Sequence, residues 1–503
     1  MAALLWILVT VFAGFYICGP IQDPDLWWHI TVGRWILHHG KIPAADHWGL
    51  FSAGEPWRAY SWSNEIVYAL FDQTFGIYGL LVLKLLIAAS LALSLSYCFS
   101  RLAGDWFLGA CLGVFSTAAC YNHFTLRPQS IVWILFVWLI FWAERISREG
   151  LSPRSAAALI GIMALWSNSH LSAVLGLAVL CGWLLPGANW RSFAWRGFFL
   201  TLAFFIAGTL LTPYLGGEWI TFFRKAGHPL QFETVSEFQP ATILQYSTAF
   251  LILSLAFMLA LLHKNPGAIS PVKGVLCGIF CCGALAVVKF LPMAVILNCA
   301  VIAHLWERQG RDLGKLGNLA EAIVRLKGAV FRIPREGLAF VVVCLGIVEL
   351  YQRWTEPILE QVVPKKAVDF IQANGLPHPI MNVFGYGGYL IYRFSNEKGE
   401  PVQRIALDGR TNLIEPAAWE KFSSIFRGRE NWKEYLEYVK PETILWRSDS
   451  PLKAILLNDS SEERWCLVYE EGVSTQEQLA FPQIFVKRSF LASMSKPLPS
   501  RNC

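Results

Sequence analysis

The chain has 503 residues, 55% hydrophobic and only 16% charged, with a formal net charge of +6. Its apolar residues come in long blocks that no soluble core of this size needs, which excludes an ordinary soluble enzyme. The positive balance is read below as a topology signal, so nucleic acid is not an expected partner.

Blocks of roughly 17–22 residues, able to cross a hydrocarbon core of about 30 Å, fall near 3–19, 79–100, 106–122, 128–145, 154–169, 171–187, 197–213, 244–262, 270–287, 290–306 and 337–353. The chain therefore reads as a polytopic α-helical membrane protein with about eleven transmembrane helices. The first block, MAALLWILVTVFAGFYICG, has no basic start and no small-x-small cleavage site, so it reads as a retained helix rather than a signal peptide.

Lys and Arg set the orientation. With a cytoplasmic N-terminus, one set of loops carries Arg101, then Arg145, Arg148 and Arg154, then Arg191 and Arg196, then Lys264 and Lys273, and finally a basic run over 307–336 that forms the largest cytoplasmic loop. The opposite loops are poorer, with Arg127, Arg224, Lys225 and Lys289 as their main cations. An odd number of spans puts the C-terminal region and the long segment 20–78 outside the cytoplasm.

Residues 20–78 form a first outer loop too long to be a mere connection. Asp23 is suited to cap a helix with Pro24 at its first position, and SWSNEIVYALFDQTFG restarts a helix near Ser63 and Asn64. In that second helix Trp62, Ile66, Leu70 and Ile77 share one face while Glu65, Tyr68 and Asp72 lie on another, the pattern of a helix lying on a membrane surface. Trp27, Trp28, Trp35, Trp48, Trp57 and Trp62 read as interfacial anchors.

The domain division read from the sequence is 1–353 as the membrane domain, 362–490 as an extracytoplasmic α/β domain and 491–503 as a tail. In the α/β region PIMNVF, RIALDG, ETILWR, RWCLVYE and QIFVKR read as strands, and EPAAWEKFSSIF, NWKEYLEYV and SPLKAILLN as helices. The 12 Cys show no zinc spacing; Cys466 and Cys503 are the pair that could bridge in an oxidising compartment.

Ionisable and polar groups gather at the outer ends of the spans: Arg127 in TLRPQ, Asn168 and His170 in WSNSH, Tyr214 in TPYLGG, Glu237 in SEFQP and Lys289 in VKFLP. Charges of both signs near a bilayer mark a functional site by default. A carboxylate able to take a proton, opposite cations able to hold a phosphate, fits transfer of a group from a phosphorylated lipid. Asp25 and His29 stand i,i+4, and Asp23 could complete a hard-metal site with them. Each residue also has a plain structural reading: Asp23 and Asp25 as first-turn acids, Arg127 and Lys289 as snorkelling cations, Asn168 and His170 as interhelical hydrogen-bond partners, and Glu65 as a polar face.

The stretch DPDLWWHITVGRWILHHGKIPAADHWGLFSAGEPWRAYSWSNEIVYALF, behind a short N-terminal helix and ahead of a core carrying RPQ and W-x-N-x-H, resembles the GT-C superfamily of integral-membrane glycosyltransferases. The group includes protein O-mannosyltransferases, oligosaccharyltransferase catalytic subunits and bacterial aminoarabinose transferases. The C-terminal region, with NVFGYGGYL, DGR and DSPL, is similar to domains on bacterial members of unassigned substrate. The resemblance implies a polyprenyl-phosphate-linked sugar as donor and a glycan, lipid or protein as acceptor. It places an essential acid at Asp25 or Asp23, with Glu65 as a second candidate and Arg127 and Lys289 as candidates for the phosphate. The DPD pair resembles the metal-binding acids of oligosaccharyltransferases while other members work without metal, so a divalent cofactor such as Mg or Mn stays open. No match to the oligosaccharyltransferase acceptor motif is present, which argues against asparagine glycosylation. The competing readings are a transporter or flippase of lipid-linked sugars, expected to carry ionisable groups at midspan, and a non-catalytic scaffold.

Overall fold

The computed structural model describes residues 2–186, 190–226, 236–264, 266–309, 325, 327–329, 332, 334–359, 362–458, 464–471, 480–494, 498 and 500. Most of the basic run 307–336 lies outside them. The chain divides into two compact units, one made of Met1–Gly19 with Leu81–Glu356, the other of Pro20–Leu80 with Pro357–Cys503. The first outer loop, expected to form one domain with the spans, thus clusters with the C-terminal region.

Each apolar block of the sequence is a helix: Ala2–Ile17, Trp62–Ala103, Trp106–Ala119, Pro128–Glu149, Pro153–Ser167, Leu175–Leu184, Trp195–Leu210, Tyr246–Lys264, Pro271–Ala286, Leu291–Gln309 and Arg335–Thr355. Among the described residues five helices are long and apolar enough to cross a membrane, and further apolar helices are shorter. Their starts follow from local chemistry. Asp105 accepts the N–H groups of Phe107 and Leu108; Ser152 and Ser155 form a capping box ahead of Pro153; Ser270 caps a helix opened by Pro271. The helix Trp62–Ala103 is interrupted at Gly76, whose φ of 60° and ψ of −148° leave the helical region.

In the first unit, the helix Trp106–Ala119 approaches Ser96 and Ser100 so closely that a Cβ at Gly109 or Gly113 would overlap them, the small-xxx-small contact of membrane helices. Lys84 Nζ donates to the carbonyl of Gly19 at 2.8 Å, and Arg353 donates to that of Cys18, so two cations sit on carbonyls just past the C-terminus of Ala2–Ile17. A buried network ties four helices around Glu144. Its Oε1 accepts from Arg148 Nε at 2.5 Å and from His304 Nδ1 at 2.9 Å, and its Oε2 from Trp183 Nε1 at 2.6 Å and Lys273 Nζ at 3.5 Å.

In the second unit the strands β1 (Ile380–Asn382), β2 (Thr443–Arg447), β3 (Trp465–Glu470) and β4 (Pro482–Lys487) form one sheet in the order β1-β2-β4-β3. β1 and β2 run parallel, with Ile380 opposite Thr443; β4 is antiparallel to both its neighbours. The helices Pro416–Arg427, Lys433–Val439 and Leu452–Asn458 stand where amphipathic spacing put them. RIALDG is not a strand of this sheet. Its Ile405 makes a parallel bridge to Gly49, its N–H donating to the carbonyl of Trp48, so its partner is the first loop. Cys466 is disulfide-bonded; the expected partner, Cys503, lies outside the described residues.

The two loop helices pack against protein along part of their surface. Leu26–His39 buries ten of its fourteen residues, and in the helix opening at Trp62 the polar face is inward: Glu65, Tyr68 and Asp72 are buried while Val67, Leu70 and Phe75 are exposed. The physical reason is pairing. Asp72 Oδ2 accepts from Arg34 Nη2 at 2.5 Å, Tyr392 Oη lies 3.3 Å from Asp72 Oδ1, and Glu65 meets His29. Five of the six tryptophans read as interfacial anchors are likewise buried: Trp27 packs edge-on against Tyr389, and Trp48 and Trp57 lie beside Arg410.

Candidate active site

The DPDLWWHI stretch folds as a turn into a helix. Asp23 Oδ1 accepts the backbone N–H of Asp25 at 2.8 Å, and it is Asp25, not Asp23, that stands at the N-cap of Leu26–His39. Asp25 makes no side-chain capping hydrogen bond, so the capping role assigned to Asp23 is a turn bond here and capping does not account for the Asp25 carboxylate. That carboxylate lies against the Asp408–Gly409–Arg410 turn: a Cβ on Gly409 would overlap Asp25 Oδ1.

Four residues into the helix, His29 Nδ1 lies 3.0 Å from Glu65 Oε1, both side chains being buried. The approach is set by Gly33, where a Cβ would overlap the carbonyl oxygen of Glu65. Asp23, Asp25 and His29 do not form the metal set expected from their spacing. Among the described residues no three His, Cys, Asp or Glu side chains gather as a metal site would need, because His29 is turned to Glu65 and Asp23 to a backbone N–H.

Beside this turn lies a charge cluster with no counterpart among the residues singled out from the sequence. Arg410, 3% exposed, donates from Nε and Nη2 to Asp408 Oδ1 and Oδ2 at 2.9 and 2.8 Å and from Nη1 to Asp46. Its guanidinium lies 5.5 and 5.2 Å from the ring centroids of Trp48 and Trp57. Asp46 in turn accepts from the backbone of Trp48 at 3.1 Å, of Gly49 at 2.9 Å and from Ser52 Oγ at 2.7 Å. Burial alone would raise the Asp46 carboxyl; the Arg410 charge and these hydrogen bonds outweigh it and hold the group below its ordinary range. For Arg410 burial works against the charge, and Asp408 and Asp46 more than offset it.

The remaining predicted residues fall in the first unit. Arg127 is the N-cap of Pro128–Glu149, with Pro128 at the first helical position. Lys289 sits in the short turn Val288–Phe290 ahead of Leu291–Gln309, and Glu237 in the turn Ser236–Phe238. The two turns are joined by the N–H of Val288 on the carbonyl of Gln239 at 3.0 Å. Glu237 bridges both cations, one oxygen on Arg127 and the other on Lys289 Nζ at 2.8 Å, and all three side chains keep some exposure. Asn168 and His170 hold helix ends: Asn168 Nδ2 donates to the carbonyls of Ala164 and Leu211 at 2.8 Å, and His170 Nδ1 accepts the N–H of Ser172 at 3.1 Å. Tyr214 lies in the turn after Trp195–Leu210, its N–H on Thr212 Oγ1 at 3.2 Å.

No protein-family model matches the chain, and no curated protein does. The chain is similar to ArnT from Cupriavidus metallidurans. The crystal structure of that protein bound to undecaprenyl phosphate aligns with 96% of this chain and 97% of its own at 13% sequence identity, with a TM-score of 0.47. At this level the likeness to ArnT carries no argument. The reading of function rests on this chain's own residues.

Sequence reasoning passed over Asp46, Asp408, Arg410 and Glu144. DGR was visible as a turn, but nothing local marked its arginine as buried, since Gln403, Arg404, Thr411 and Asn412 lie on either side of it. The anion's identity was not readable, because Asp46 lies 364 residues away.

Proposed function

We propose that this chain is an integral-membrane glycosyltransferase that moves a sugar from a polyprenyl-phosphate-linked donor to an acceptor hydroxyl on the extracytoplasmic face of a bacterial membrane, with inversion. Arg127 and Lys289 are its candidates for holding the donor phosphate, and Asp25 is its candidate for the base that takes the proton from the acceptor oxygen as that oxygen attacks the anomeric carbon. The sugar–phosphate bond breaks and the negative charge leaves with the lipid phosphate. Each cation aimed at that developing charge is worth about 2.7–4 kcal/mol, judged by the loss on removing one such donor in other enzymes.

The observation that carries the reading is the meeting of Arg127 and Lys289 on one carboxylate, Glu237, at the starts of two helices. Two cations from distant parts of the sequence that converge on an anion form a seat suited to phosphate. A transporter would want ionisable groups at midspan. Lys84, the one interior cation of its span, instead serves the carbonyl of Gly19.

The test is release of polyprenyl phosphate from a panel of lipid-linked sugars by purified wild type, Asp25→Asn and Arg127→Ala, with folding of each checked by thermal unfolding. Turnover by wild type and a loss of about 10²-fold or more in both folded variants is the expected result. A folded Asp25→Asn that turns over normally removes Asp25 as the base, and donor counterflow without turnover turns the reading to transport.

A further inference from the structure

The C-terminal region carries a turn that reaches the first loop. In Asp408–Gly409–Arg410, the middle residue presents bare backbone to Asp25, and a Cβ there would overlap Oδ1. Gly409 does not have a positive φ, so its backbone would accept an ordinary side chain, and what excludes one is the Asp25 carboxylate. The turn is itself held rigidly. Arg410 grips Asp408 with two nitrogens and Asp46 with a third, and its own N–H donates to Asp408 Oδ1 at 2.9 Å.

Behind the turn, Asn382 Nδ2 donates to the carbonyl of Leu407 at 2.7 Å, fixing its entry to the end of β1. The GYGGYL segment closes the other side. A Cβ on Gly387 would overlap the carbonyl of Leu407 and crowd Asp408, and one on Gly388 would overlap the carbonyl of Pro24 and lie 3.2 Å from Trp28 Cδ1. Two adjacent glycines therefore press one against the DGR turn and the other against the turn that carries Asp25. Gly388 thus abuts Pro24 and Gly409 abuts Asp25.

We infer that the Asp408–Gly409–Arg410 turn is a positioning element for Asp25, so that the C-terminal region is part of the catalytic centre and not only a holder of acceptor. This rests on Asp25 being the base. Gly409 acts through Asp25: it sets the carboxylate's rotamer and therefore the direction in which it accepts a proton. A base displaced by about 1 Å loses on the order of 10²-fold in rate without losing substrate affinity.

The experiment compares the full-length wild type with Gly409→Ala, Asp25→Asn and Gly385→Ala in donor turnover across a pH series. Gly385 is the control, since a Cβ there meets nothing within 4 Å and its φ is not positive. The expected result is a fall in kcat of about 10²-fold for Gly409→Ala, with KM for the donor little changed and the pH limb that Asp25→Asn abolishes displaced, while Gly385→Ala matches wild type. Gly409→Ala with the kcat and pH limb of wild type overturns the inference while leaving Asp25 as base. Normal turnover by Asp25→Asn instead overturns the reading beneath it. Should Gly409→Ala fail to fold, Arg410→Lys serves in its place: one ammonium cannot replace a fork on Asp408 and Asp46, so kcat falls at constant KM if the turn positions Asp25, and both stay at wild-type values if it does not.

Discussion

Replacing Arg410 by methionine tests the main electrostatic claim. The substitution keeps much of the side chain's bulk but removes three charge-assisted hydrogen bonds to two carboxylates, with Asp46 1% and Asp408 7% exposed. Asp46 keeps its bonds from Trp48, Gly49 and Ser52, but both acids lose the cation that neutralises them. Breaking a buried ion cluster by deleting one sign costs about 3–5 kcal/mol. At roughly 2–4 °C per kcal/mol for a unit of about 200 residues, the melting point falls by about 6–20 °C. Tryptophan fluorescence is the natural probe, because Trp48 and Trp57 flank the guanidinium. The exposed pair Arg447–Asp449 provides the control, since Arg447→Met should cost about 0–1 kcal/mol. Adding Asp46→Asn and Asp408→Asn to Arg410→Met removes the stranded charges and should recover most of the loss. A melting point for Arg410→Met within about 2 °C of wild type, or a triple variant no more stable than the single one, would refute the reasoning.

Two further outcomes follow from the same physics. Because the folded carboxyl of Asp46 lies below its ordinary 3.8, its contribution to stability is fully present above that pH and disappears as pH falls through the lower folded value; Asp46→Asn should flatten this part of an acid unfolding curve followed by fluorescence. In the first unit, Glu144→Ala strands His304, Trp183 and Lys273 and leaves Arg148 with Glu307 alone, and should lower stability in detergent by about 3–5 kcal/mol, with Glu144→Gln milder because its amide oxygen still accepts; equal stability of Glu144→Ala and wild type would show the network to be idle.

What the sequence disclosed was whatever depends on neighbours along the chain. Apolar blocks became helices at their expected places because length and capping residues are local, as at Ser152–Pro153 and Ser270–Pro271. Four of the five expected strands are in the sheet for the same reason. In 20–78 the helix opening at Trp62 has two unlike faces, and periodicity does not say which one meets protein. With Arg34 and His29 as partners, the acidic face turned inward, and Val67, Leu70 and Phe75 were left outside. At the candidate site, Arg127, Lys289 and Glu237 were legible as a group only through charge and topology. The pairing of Asp25 with Gly409 had no signal at all, because a glycine's missing side chain leaves no chemical trace in a sequence.

The ion cluster at Arg410 also bears on how the chain is made. Asp46 leaves the ribosome 364 residues before its partner, which at about 5–20 residues per second is a delay of roughly 20–70 s. Throughout that interval Trp27, Trp48 and Trp57 lack Tyr389 and Arg410 to pack against, and Asp46 lacks its cation. Assembly of the second unit therefore waits until most of the chain has been made, and the nascent first loop spends that interval with its aromatic and acidic groups uncovered.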